Sequence, residues 1–340
     1  MKRRATLKDI ANALNISVTT VSRALNDKDD ISPKTKEAVL EVARMLEYKP
    51  NAMAVSLRKN VANKIVGVIL PAVEHHFFST ILKGIMTAAH LSDYMIMMGE
   101  SNQDFNKERK ILQHFGDHLV SGVILSPSRH PDSPKNVALL RSMDIPFILI
   151  DRKFDDYTGS FLQHDDYSGA YAAVSHLIAQ GYKRIAHIRG DETCNISSER
   201  FKGYISALSD HGIPIDHHLV KSCLNARKED GYRNTAILFD GKYPNPDAIF
   251  TVTDHVASGV YEYAKDHGIN IPKELGVVGY SNSEVADHLS PKLSTVEQNG
   301  HEMGRTSFNF LIEQIKNRQS VFQRTFSTKL LIRESSMPKV

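Results

Sequence analysis

From Thr6 to Leu46 the apolar residues recur three and four positions apart, the spacing of one buried helical face. From Ile65 onward the texture changes, and short Val- and Ile-rich runs alternate with helical stretches. The join falls between Lys59 and Lys64. Strands are predicted at 65–70, 94–98, 123–126, 147–150, 161–164, 185–188, 220–224, 248–252, 276–280 and 330–333. Runs such as Ile65–Leu70 are apolar throughout, so both of their faces need cover; that implies parallel sheets flanked by helices rather than a half-exposed antiparallel sheet. So many strand–helix units point to two doubly wound lobes.

In the helical segment, Thr6 precedes Leu7, Ile10, Ala11 and Leu14, with Asp9 three residues on, which predicts a capped first helix ending near Asn15. Asn15–Ser17 makes a turn. In the second helix Val21, Ala24 and Leu25 point back at the first, leaving Val18, Thr19, Ser22 and Arg23 outward; this is the pattern of a helix-turn-helix with an exposed reading face. Ser32 and Pro33 open a third helix whose Val39, Val42, Ala43 and Leu46 close a small core. The periodicity alone equally allows a three-helix protein-interaction module.

With 340 residues the chain is long for one core. Its 41% apolar and 24% charged content is that of a globular protein, and no apolar run is long enough to span a membrane. Met1–Arg4 is basic, but the polar residues after it cannot act as an export signal's apolar core, and the two cysteines, Cys194 and Cys223, have no metal or redox spacing. The expectation is a cytoplasmic protein. The net charge of +3 is unevenly spread, with about +5 in residues 1–60, an asymmetry that points to a polyanionic partner for the N-terminus.

The string TLKDIANALNISVTTVSRALND, followed by YKPNAMAVSLR, closely resembles the DNA-binding end of the lactose-repressor and galactose-repressor (LacI/GalR) family. The likeness continues, in order, through Val120–Leu125, Ile145–Arg152, Ser198–Tyr204, Pro246–Phe250 and Val277–Tyr280. It implies a helix-turn-helix domain over residues 1–50, a hinge helix and linker over 51–64, and a core over 65–340 similar to periplasmic sugar-binding proteins. The two lobes of that core are expected at about 65–164 with 295–325, and at about 165–290 with 326–340. Position by position, the resemblance makes Val18, Thr19 and Arg23 base-contacting residues, with Thr20, Ser22 and Thr6 also at the DNA. Asn51–Leu57 resembles the family's hinge helix, with Asn51 as its cap, Ala54 allowing close approach and Leu57 as the minor-groove wedge. Seven residues cannot hold a helix alone in water, so its order would depend on DNA. Val55 stands where many members have arginine.

The same resemblance places Phe77 and Phe78 against an effector, with Asp151, Arg152, Asp165, Arg200, Asp254, Ser281 and Gln298 near it. Carboxylate acceptors and planar guanidiniums suit a hydroxyl-rich ligand, and a chain with no tryptophan must draw aromatic walls from Phe or Tyr. Two departures stand out: His75-His76 replaces an Asn-Pro, and Ser281 replaces an aspartate that would accept from a sugar hydroxyl. The implied function is a transcriptional regulator, a repressor of carbohydrate-metabolism genes. It would bind a palindromic operator as a homodimer under control of a small molecule, a sugar. Glu334–Val340 carries no leucine heptad, so dimers are expected rather than tetramers.

No phosphate loop, dinucleotide fingerprint or zinc-protease motif is present, and Gly279–Ser283 lacks the second glycine of a nucleophile elbow, so neither an enzyme nor a cofactor is expected. The histidine pairs 75/76, 217/218 and 114/118 have no third metal ligand in view. Control by a protein partner or a non-sugar metabolite remains open.

Overall fold

The computed structural model describes residues 5–48, 64–154 and 156–337. The chain divides into two compact units, Met1–Asn63 and Lys64–Val340.

In the first unit, α1 (Leu7–Leu14) is fixed by a reciprocal cap. The Asp9 amide donates to Thr6 Oγ1 at 3.3 Å while the Thr6 amide donates to Asp9 Oδ2 at 2.8 Å. Asn15, left-handed at φ 53°, ends the helix and turns the chain into α2 (Val18–Leu25), whose cap Ser17 accepts from the Thr20 amide. Ser32 caps α3 (Pro33–Met45) with proline at its start. Ile10, Val21 and Val39 are fully buried where the three helices meet, with Ala11, Ala24 and Ala43 beside them. Leu46, expected in this core, is 39% exposed at the cap after α3; Val42 packs there as expected, and Tyr48, which was not expected, joins it. The hinge residues Asn51, Ala54 and Leu57 lie outside the described residues.

The second unit holds two six-stranded sheets. The strands are β1 (Ile65–Leu70), β2 (Met95–Glu100), β3 (Gly122–Leu125), β4 (Phe147–Ile150), β5 (Phe161–His164), β6 (Ile185–Arg189), β7 (Val220–Ser222), β8 (Ala248–Thr251), β9 (Gly276–Tyr280), β10 (Ser294–Glu297), β11 (Gln323–Phe326) and β12 (Lys329–Leu331). The orders are β11-β5-β4-β3-β1-β2 and β12-β10-β9-β8-β6-β7. Every pairing is parallel except β10 with β12. Alternation along β1 shows why an all-apolar strand is needed: Val66, Val68 and Leu70 face one core cluster and Ile69 the other.

Lobe 1 carries α4 (His76–Leu91), α5 (Phe105–Asp117), α6 (Ser133–Ser142) and α12 (Gly300–Lys316). Lobe 2 carries α7 (Asp166–Ala179), α8 (Asn195–Asp210), α9 (Lys228–Leu238), α10 (Asp254–Asp266) and the short α11 (Glu284–His288). Helices α4 and α12 cross so closely that a side chain on Gly84 would meet the His301 carbonyl, and one on Gly304 the Ile81 carbonyl.

The lobe boundaries differ from those expected. Residues 295–297 lie in the second sheet, as part of β10, and Phe326 lies in the first, as the end of β11. The chain therefore crosses between lobes after β5, after β10 and after β11. Neither polar strand, Ser294–Glu297 nor Gln323–Phe326, was among those predicted. Among the described residues no helix is long and apolar enough to cross a membrane.

Candidate functional site

Two places gather chemistry. On α2, Val18, Thr19 and Arg23 are exposed, and Thr20 and Ser22 half-buried, while Val21 and Ala24 anchor the helix. A short helix thus presents one apolar, one hydroxyl and one guanidinium group on a face backed by a fixed core. The Thr20 hydroxyl lies 2.8 Å from that of Ser17, and the Thr6 hydroxyl donates to Asp9 Oδ2 at 2.7 Å, so both also serve helix starts. Arg23 is ion-paired with Asp30 at 2.6 Å.

The second place is a cavity of about 820 Å³ between the two lobes of the core. Its walls are the C-terminal ends of parallel strands: Ala72, His75, Phe77 and Phe78 follow β1, Gln103 follows β2, Arg129 follows β3 and Asp151 and Arg152 follow β4. From lobe 2, Asp191 follows β6, Cys223 follows β7, Thr253 and His255 follow β8, and Ser281 follows β9. Parallel strands leave their loops and helix starts at this end, which is where open α/β sheets take ligands.

Arg200 on α8 is 5% exposed; its Nε donates to Asp166 Oδ1 at 2.8 Å and its Nη1 to the Val252 carbonyl at 2.6 Å. The guanidinium lies 3.5 Å over the Tyr280 ring, and Arg200, so held, lines the cavity. Arg152 donates through Nη1 to Gln103 Oε1 at 2.8 Å, with its Nε 3.5 Å from Asp151. Burial pushes the Asp151 carboxyl up to about 6, against the pull of Arg152. Asp151 at φ 67° and Ser281 at φ 99° both hold left-handed backbone at the cavity wall, conformations that cost energy and gather at ligand sites. The Ser281 hydroxyl donates to Gln298 Oε1 at 3.1 Å.

Arg129 reaches across. From lobe 1, its Nη1 donates to the Leu224 carbonyl at 3.0 Å and lies 3.4 Å from Asp191 Oδ2, both in lobe 2. Deeper in, His75 of lobe 1 and His255 of lobe 2 bring their rings to 6.2 Å between centroids. Burial, with help from His255 and nearby arginines, depresses His75 to about 4, so its imidazole is neutral at neutral pH. A neutral imidazole both donates and accepts, and its buried Nδ1 has no hydrogen-bond partner among the described residues.

Of the residues expected at the effector, Phe77, Phe78, Asp151, Arg152, Arg200, Ser281 and Gln298 line this one cavity. Phe77 and Phe78 do so as the edge of the lobe 1 core, forming a wall rather than a free stacking platform. Asp254 is not among the lining residues. Its carboxylate accepts from the Ser283 amide and the Thr295 hydroxyl, both at 2.6 Å, and Gly279 leaves the space it fills. Asp165 is absent from the main cavity as well: it caps α7 by accepting from the Ser168 amide and borders a smaller cavity of about 240 Å³ at the first lobe crossing. Gln103, Arg129, Asp191 and His255 were not singled out; their signal was position, just past a predicted strand. Among the described residues no group of three or more His, Cys, Asp or Glu side chains could hold a metal ion. His218 stacks on Tyr243 with 3.7 Å between centroids.

Residues 6–51 match the family described as "Bacterial regulatory proteins, lacI family", and residues 174–336 the "Periplasmic binding protein-like domain". The ribose operon repressor of Halalkalibacterium halodurans is 30% identical over 337 residues, covering 97% of each chain. This chain belongs to the LacI family. As a LacI-family member it is a DNA-binding transcriptional regulator. A solved transcriptional regulator, the CelR–cellobiose complex, shares its fold with a TM-score of 0.75 at 26% identity over 98% of this chain and 100% of that one. The lac repressor dimer bound to operator and an anti-inducer is similar with a TM-score of 0.78, over 98% of this LacI-family chain and 100% of that one; at 20% identity the likeness is one of fold. Each of these relatives is described as a repressor or transcriptional regulator.

Proposed function

We propose that this LacI-family regulator binds a palindromic operator as a homodimer and that a hydroxyl-rich small molecule, a sugar, taken into the interlobe cavity changes its affinity for DNA. The observation that carries the effector half is the convergence of Arg152, Arg200, Asp151 and Gln298 on one cavity with walls from Phe77 and Phe78. Paired donors and acceptors around an apolar edge suit a ring bearing several hydroxyls. That the similar CelR structure is a cellobiose complex supports the same class.

In this reading α2 lies in the major groove, Arg23 donates to a guanine edge, Val18 and Thr19 touch neighbouring bases, and Thr20, Ser22 and Thr6 set the helix on phosphates. One short helix reads few base pairs, so a two-fold mate is needed, and Asn51, Ala54 and Leu57 supply the central minor-groove contact. Met86 and Leu91 of α4 and Met98 of edge strand β2, all exposed and on the α4 side of the sheet, are apolar side chains suited to a second subunit. Ligand and operator are coupled because the sugar binds one lobe arrangement better than the other. Arg129 is the group that would feel this first, because it joins the two lobes across the cavity mouth.

Isothermal titration of the purified chain against pentoses, hexoses and their disaccharides tests the effector half. A sugar that binds and shifts operator affinity is expected. Operator binding that no sugar alters, but that a protein partner or a non-sugar metabolite does alter, would replace the reading.

A further inference from the structure

The Arg23 guanidinium is already engaged within the first unit: Nη2 donates to Asp30 Oδ2 at 2.6 Å, joining α2 to the loop that leads into α3. The two side chains are 50% and 51% exposed. An ion pair so placed adds little to fold stability, since water screens it and two flexible side chains must be ordered to make it. Near DNA it is also a liability, because a carboxylate repels phosphates and offsets part of the gain from counterion release. What the pair does supply is orientation. A long guanidinium side chain loses much of its rotamer freedom when it docks on a base, and a carboxylate that fixes it beforehand removes that cost from the binding step.

A second acid in the same loop gives a contrast. Asp27 pairs at 2.7 Å with Lys36, which belongs to α3, so that contact braces the loop and leaves the reading helix untouched. The hydrogen bond from Arg23 holds the Asp30 carboxyl below the usual carboxylate range, so it is ionised wherever the operator is bound.

We infer that Asp30 is a positioning residue for operator recognition: its carboxylate fixes the Arg23 guanidinium in the orientation that reads a guanine, and the base preference of Arg23 depends on it. The inference rests on Arg23 being a base contact. It gives a signed pair of effects. Removing the carboxylate weakens discrimination at one base pair per half-site while binding to unrelated duplex holds or tightens.

The test uses the full-length chain and a duplex selected by it from a randomised library, together with every single-base variant of that duplex and a scrambled one. Affinities are compared for the native chain, Arg23→Ala, Asp30→Asn and Asp30→Glu. Arg23→Ala is expected to flatten preference at one pair per half-site. Asp30→Asn should lower preference at that same pair by about tenfold, with scrambled DNA bound at least as well as before, and Asp30→Glu should restore part of the loss. If Arg23→Ala flattens that pair and Asp30→Asn discriminates it as the native chain does, the inference fails while the base contact stands. If Arg23→Ala leaves every preference intact, the base contact fails and takes the inference with it. Equal weakening on all duplexes by Asp30→Asn, with an earlier melting transition, would make the pair a structural brace only and overturn the positioning role.

Discussion

In the first unit the residues assigned to function stand outside the core: Val18 is 43% exposed and the Arg23 side chain 50%, while Ile10, Val21 and Val39 behind them are fully buried. In the second unit the assigned residues are themselves interior, with Asp151, Arg200 and Gln298 each at most 6% exposed. A surface face can lose a functional side chain without disturbing its scaffold. A buried charge constellation cannot, because each member is the counter-ion or hydrogen-bond partner of another.

That difference is sharpest for Arg200. Arg200→Ala leaves the Asp166 carboxylate buried without its guanidinium, so chemical denaturation of the core should show a loss of about 3–5 kcal/mol along with the effector response. A stable, effector-responsive variant would show that the site tolerates change as the reading face does. Next in size, Ile10→Ala removes a fully buried side chain from a very small core; a loss of about 3 kcal/mol in the first unit is expected. Differential scanning calorimetry should then show an unfolded first unit, no operator binding and an unaltered core transition. A shift in the core transition as well would show that the loss is not confined to the first unit.

Arg129→Ala cuts a half-exposed contact across the cavity mouth, so a loss of only about 1 kcal/mol is expected, with a larger radius of gyration by small-angle scattering. An unchanged radius would deny Arg129 any part in holding the lobes together. The last effect is one of pH. Burial depresses His187 and His164 to about 3 and His75 to about 4, whereas an unfolded chain protonates these rings near the ordinary value of 6.5. Their contribution is therefore complete above pH 6.5 and is lost as pH falls toward 4. Asp151 and Asp254, each raised to about 6, act in the opposite sense between pH 4 and 6 and offset part of that loss. His187→Phe removes one of these buried rings and should make the acid-side fall in core melting temperature shallower.

The first unit was legible because its determinants are local: a cap, a turn and a period of 3.6 residues suffice to place Val21 inward and Arg23 outward. The strands of the core were legible where both faces are apolar, as in Ile65–Leu70. Ser294–Glu297 and Gln323–Phe326 escaped because their placement comes from the strands they pair with, β9 and β12 for one and the distant β5 for the other, rather than from an apolar pattern of their own. The same limit explains Asp254. Its type and position suit a ligand, but only the tertiary structure brings Thr295 and the Ser283 amide to its two oxygens. The position of Arg129 just past a strand hinted at the site, but its reach across the lobes depends on Asp191 and Leu224, which only the tertiary structure brings to face it.

Because the chain passes from one lobe to the other three times, neither lobe is a continuous stretch of sequence. A protease that nicks one crossing leaves the halves joined by two intact covalent threads, so a cut chain can keep its ligand pocket and still migrate as fragments on a denaturing gel. For the same reason a plasmid encoding only one run of residues will not yield a single lobe, and the pocket has to be made, inherited and lost as one piece.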